Sequence, residues 1–165
     1  MYYSNYNQSY YFSKRAVAYL KPSPKFPKIR GTVYFFDVPN GAEVWVEVFG
    51  LPEYTPATND RPPIGPHGFH IHEVGICDGS NDEPFESAGG HWAPDGQPHG
   101  NHAGDLPVLF SNNGYARMQF FTNRFKVNNI INKSIIIHIH PDDYRTQPTG
   151  DAGERIACGI IKRSY

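Results

Sequence analysis

Cysteine is scarce in this chain: Cys77 and Cys158 are the two in 165 residues, and neither belongs to a C-x-x-C pair. Thiolate metal sites draw on closely spaced cysteines, so cysteine ligation of a metal is not expected. Spacing alone leaves two free buried thiols and one long-range disulfide equally open. A bridge over so long a loop would add about 4–5 kcal/mol on the chain-entropy model and would favour an oxidising location. No apolar run approaches the roughly 18 residues of a membrane helix, and the longest, Ser134 to Ile137, suits a strand core. Bulk charge is missing too. A net charge of −1 gives no general attraction to nucleic acid or acidic lipid. The G-x-S-x-G elbow of a Ser-His-Asp hydrolase is also absent.

What remains is a chain with 39% hydrophobic and 15% aromatic residues, long enough for one domain with a real core. Residues 1–14 open as MYYSNYNQSYYF, with neither the basic start nor the apolar stretch of a secretory signal. They read as a mobile Tyr/Asn-rich tail, with a sticky or cross-linkable assembly segment as the sharper alternative. Residues 15–165 form the domain. Strands are expected at Ala16–Lys21, Gly31–Val38, a third after the Pro39-Asn40-Gly41 turn, and Gly68–Glu73. Further strands are expected at Val108–Phe110, Tyr115–Phe121, Ser134–Ile139 and Ile156–Lys162, with Asn113-Gly114 as a second hairpin turn. In the third strand Val44, Val46 and Val48 alternate with Glu43, Trp45, Glu47 and Phe49, a period of two. The fold class is therefore all-β, an antiparallel sandwich or barrel with little helix. Two long loops, residues 75–107 and Pro141–Gly153, are too extended to be mere connections.

The histidines carry the chemistry. Six of eight stand at His70-x-His72, His91, His99-x-x-His102 and His138, with Asp105 following at the same spacing of three. His70 and His72 sit at i and i+2 on one strand, so both rings point to the same side. Three imidazoles and one carboxylate make a plausible tetrahedral zinc set, and the remaining histidines a nitrogen-rich set suited to copper. His67 and His140 are read as ordinary hydrogen-bonded residues, since a lone histidine on a strand is seldom a ligand. A cupin site also starts with H-x-H, but it needs a Glu about four residues past the second histidine, and position 76 is isoleucine.

Five segments, HGFHIHEVGICD, SAGGHWAP, HGNHAGDLP, SIIIHIHPDDY and TGDAGERIACGII, together closely resemble the copper,zinc superoxide dismutase family, in its bacterial type. The resemblance runs from about Ala16 to Ile161 and implies an eight-stranded Greek-key barrel, related to the immunoglobulin-like sandwiches. It implies copper on His70, His72, His91 and His138, and zinc on His91, His99, His102 and Asp105, with His91 bridging. Asp142 matches the carboxylate that links one histidine of each set, Arg155 the arginine that guides the anionic substrate, and Cys77 with Cys158 the disulfide.

The implied reaction converts superoxide to oxygen and hydrogen peroxide as copper alternates between Cu(II) and Cu(I). Zinc is structural, and the His91 bridge opens on reduction and takes up a proton. The resemblance leaves room for a homodimer and calls for no nucleic acid, membrane span or organic cofactor. Three departures bear on rate: a short zinc loop with His99 and His102 only three apart, Glu154 beside Arg155, and a lysine-poor Pro141–Gly153 segment that weakens the usual basic funnel. The competing reading is a dismutase-like structural protein that binds metal with little or no turnover.

Overall fold

The computed structural model describes residues 14–164, so the tail reading of residues 1–13 lies outside the described residues. Eight strands form in chain order: β1 (Arg15–Pro22), β2 (Arg30–Val38), β3 (Gly41–Phe49), β4 (Phe69–His72), β5 (Tyr115–Thr122), β6 (Ser134–His138), β7 (Arg155–Ile160) and β8 (Lys162–Ser164). They build one curled antiparallel sheet in the order β4-β6-β7-β1-β2-β3-β5, with β8 also on β1. Among the described residues, helix is limited to one four-residue turn, α1 (Val127–Ile130), and a 3-10 turn at Glu86–Ala88. The step from β3 to β4 crosses from one side of the sheet to its far edge, as the Greek-key expectation requires.

Local chemistry explains the hairpins. β2 and β3 are joined by Pro39-Asn40, with Asn40 at φ 63°. The turn into β5 places Asn113 and Gly114 at φ 52° and 79°, the left-handed pair that tight hairpins need and that Asn-Gly supplies at low cost. β3 alternates as its sequence indicates, Val44, Val46 and Val48 buried and Trp45, Glu47 and Phe49 exposed. The inward faces make a core around Val33, Phe35, Phe69, Ile71, Leu109, Ile135, Ile137 and Ile156. β4 and β6 are buried along their whole length. One face meets this core, while the other, carrying His70, His72, Ile136 and His138, lies under the two long loops.

The strand readings fail at two places. Val108–Phe110 forms no strand: Leu109 makes one isolated bridge with His67, and Pro107 before it has no N–H to extend a ladder. Ile156–Lys162 divides into β7 and β8 at Ile161, whose N–H and C=O turn to Lys133 and Asn132 instead of to β1. β1 nonetheless keeps one register with both pieces, Lys21 opposite Cys158 and Val17 opposite Lys162. The count of eight strands thus survives because one loss offsets one division.

Phe35 is fully buried against Phe125, whereas Tyr19 is 70% exposed. Urea unfolding of Phe35→Ala should show a loss of about 3–5 kcal/mol, and Tyr19→Ala less than about 1 kcal/mol.

Candidate metal centre

Backbone pairing brings the site together before any side chain is considered. β4 and β6 are antiparallel partners, with His70 opposite Ile136 and His72 opposite Ser134, and His138 ends β6 on the same face. Two isolated bridges then join ligand candidates directly: His70 pairs with Asp105, and His72 with His91. Segments remote in sequence are therefore aligned by main-chain hydrogen bonds, including Trp92 N–H to Ile71 O at 2.8 Å and Leu106 N–H to Phe69 O at 3.2 Å.

The side chains form two buried groups that share one ring. His70, His72, His91 and His138 make the first, and His91, His99, His102 and Asp105 the second, with ligand atoms in each within 4.8 Å of one another. In the first group the outer ring nitrogens are fixed by acceptors. His72 Nδ1 donates to Gly89 O at 2.9 Å, His138 Nδ1 to Gly153 O at 2.9 Å, and His70 Nε2 to Asp142 Oδ2 at 2.7 Å. These bonds set the tautomers, leaving bare lone pairs on His72 Nε2, His138 Nε2 and His70 Nδ1. His70 Nδ1 and His91 Nε2 are buried without a hydrogen-bond partner, and His72 Nε2 lies 3.4 Å from His138 Nε2. Orphaned inward nitrogens held by second partners are what a nitrogen-binding cation requires, and the donor set suits copper.

The second group centres on Asp105 Oδ1, which lies 3.1 Å from the Nδ1 atoms of both His91 and His102 and 3.3 Å from that of His99. Its other oxygen, Oδ2, accepts the N–H groups of Gly100 at 2.8 Å and His102 at 3.0 Å. Three nitrogens facing one carboxylate oxygen make a tetrahedral N3O set of the zinc kind. Asp142 ties the groups together: Oδ1 accepts from His99 Nε2 at 2.8 Å while Oδ2 accepts from His70.

Electrostatics favour neutral rings. Burial holds His70 and His72 well below the ordinary histidine value and pushes His138 down to about 3 against its bond to Gly153 O. Burial pushes Asp105 upward, but the hydrogen bond from His91 and the nearby imidazoles outweigh it, keeping the carboxyl ionised. Neutral imidazole and carboxylate are the metal-binding forms.

Around this centre, Cys77 and Cys158 are joined in a disulfide with Cα atoms 5.7 Å apart, packed with Phe85, Ala88 and Ile136. Arg155 is half-buried and donates to Phe85 O at 2.6 Å and to Gly89 O at 2.7 Å. Gly89 O thereby serves both Arg155 and His72. Glu154, expected to compete with Arg155, instead pairs with Lys25 at 3.1 Å, and the acids that act on Arg155 are Glu86 and Glu83. His67 and His140 join neither group: their Nδ1 atoms donate to His138 O at 2.9 Å and Pro63 O at 2.7 Å. Sequence reasoning missed the carbonyls of Gly89 and Gly153, which spacing does not reveal. It also missed Arg124, whose guanidinium donates to His102 O at 2.6 Å.

The family model for copper/zinc superoxide dismutase matches residues 29–161. A Cu-Zn superoxide dismutase of Deinococcus radiodurans is 38% identical over 154 residues, covering 82% of this chain and 78% of that protein. One of Legionella pneumophila is 35% identical over 164 residues, covering 92% of each. One of Escherichia coli K12 is 39% identical over 124 residues, covering 67% of this chain and 71% of that protein.

Gly150 stands at φ +68°, where an added Cβ would run into Asp142 Oδ1 and His99 Nε2. Gly150→Ala should disturb the carboxylate that links the groups and weaken zinc retention by about 10–100-fold, read by chelator competition.

Proposed function

The chain belongs to the copper/zinc superoxide dismutase family and catalyses that family's disproportionation of superoxide to oxygen and hydrogen peroxide, and we propose that its two donor groups divide the metals between them. Copper goes to His70, His72, His91 and His138, and zinc to His91, His99, His102 and Asp105. The observation that carries this division is the donor chemistry. One group offers four imidazole nitrogens, the other three imidazoles with an ionised carboxylate, and the ring of His91 belongs to both. Bound in the first group, copper would supply the one-electron exchange that oxidises one superoxide and reduces the next.

The protein's own residues do the rest. His91 Nε2, buried without a hydrogen-bond partner, is the ring atom that can take up a proton and hand it to the reduced substrate. Gly89 O, Gly153 O and Asp142 keep the other rings in the tautomers that present a lone pair inward. Arg155 places a permanent positive charge near His72 and His138, both of which feel it. A guanidinium there attracts a small anion and orients it. Lys25 offsets the neighbouring charge of Glu154, so Arg155 is less opposed from that side than the sequence suggests.

We assign the activity to residues 15–165 and treat the preceding tail as dispensable to it. A homodimer is the assembly we propose. Tyr34, Trp45 and Phe49 lie exposed on the outer face of β2 and β3, a composition typical of surfaces that a second copy covers.

His138→Ala should abolish copper retention and reduce superoxide consumption to the rate of the metal-free protein, while zinc remains bound. Metal analysis paired with pulse-radiolysis rates checks this, and undiminished turnover would overturn the copper assignment. Arg155→Ala should lower kcat/KM by about tenfold and flatten its dependence on ionic strength, as expected when a steering charge is removed.

A further inference from the structure

The Pro141–Gly153 segment grips one residue, His99, from several sides. Asp142 Oδ1 accepts from its ring at Nε2, and Gly150 packs against the same ring atom. The third grip has no counterpart in the ligand pattern. The side-chain amide of Gln147 is laid across the His99 main chain, its Oε1 accepting the His99 N–H at 2.9 Å and its Nε2 donating to the His99 O at 3.1 Å. The same Nε2 reaches Arg145 O at 3.3 Å, which braces the amide on its own loop. A primary amide carries a donor and an acceptor side by side, so one side chain can satisfy both polar atoms of a single residue at once.

The grip falls where main-chain support is otherwise thin. Residues 99–102 lie in a turn outside any strand, and no helix fixes their path. Asp105 braces this turn through the N–H groups of Gly100 and His102. At His99 itself the main-chain N–H and C=O both go to Gln147.

We propose that Gln147 is a positioning residue for the zinc group, holding the His99 backbone so that Nδ1 faces the pocket. The inference rests on the assignment of zinc to His91, His99, His102 and Asp105. It goes beyond that assignment in naming a residue that touches no metal yet sets how long one is held. Asp142 fixes the ring and Gln147 fixes the chain to which the ring is attached, so neither replaces the other.

The test is zinc dissociation from the full-length protein into excess chelator, with cobalt(II) substituted at the zinc position as a spectroscopic probe. Gln147→Ala should release zinc about 10–100-fold faster, the usual cost of losing a ligand's outer partner, and should weaken and shift the cobalt visible bands. Gln147→Glu, which keeps the acceptor for His99 N–H but loses the donor, should fall between the two. Thermal unfolding of the metal-free proteins should coincide, which separates positioning from a general loss of fold. His102→Ala separates the inference from the reading beneath it. If that variant holds zinc normally, the zinc assignment itself fails. If it loses zinc while Gln147→Ala releases it at the parental rate with an unchanged cobalt spectrum, the role of Gln147 is overturned.

Discussion

Burying six imidazoles and two carboxylates in one volume is costly unless every polar atom has an assigned partner, and that requirement shapes this half of the molecule. His70, His72 and His138 turn their outer nitrogens to Asp142, Gly89 O and Gly153 O, which leaves the inner nitrogens facing one another. His91 is the hinge of the arrangement. Its Nδ1 faces Asp105 and its Nε2 stands buried and unpaired toward the other group, so neither group is complete without that ring. Desolvation favours the neutral form of His70, His72, His91 and His138, the form in which an imidazole binds a metal.

The barrel supplies rigidity and the loops supply closure. β4 and β6 hold His70, His72 and His138 at fixed registers over a dry core. The long loop after β4 brings in His91, His99, His102 and Asp105, and the loop after β6 brings in Asp142 and Gln147. The disulfide between Cys77 and Cys158 anchors the start of the first loop to β7, the strand on which Arg155 faces His138. Arg155 then reaches back to Phe85 O and Gly89 O on that same loop. The anchored loop therefore places both a ring-orienting carbonyl and the guanidinium of Arg155, the charge we propose attracts the substrate.

Much of this was legible in the sequence because period-two patterning and Asn-Gly turns act over a few residues. β2 and β5 emerged within one residue of their expected bounds, β3 carries the expected alternation, and tight turns formed at Asn40 and at Asn113-Gly114, where positive φ is needed, although no strand precedes the second turn. The candidate ligands were legible as well, since His-x-His on a strand and His-x-x-His-x-x-Asp in a turn-rich loop are local patterns, and the fold gathers them into two groups able to hold a metal. Val108–Phe110 misled because a short apolar run needs a partner edge to be a strand, and that edge offers only the single pairing of Leu109 with His67. The break at Ile161 depends on competition from Lys133 and Asn132, residues nearly thirty positions away.

By itself the sequence determined most of the strand pattern, the scarcity of helix among the described residues, the residues able to bind metal and, through ordered motifs, the family. It left the two cysteines undecided on spacing, and it could not tell whether Glu154 opposes Arg155. Tertiary structure decided both, joining Cys77 to Cys158 and giving Glu154 to Lys25. It also decided which nitrogen of each ring looks inward, because that choice belongs to carbonyls and carboxylates contributed from distant loops. Tautomers, pairings and the sharing of His91 are matters of distance in space, and chain order carries no direct record of them.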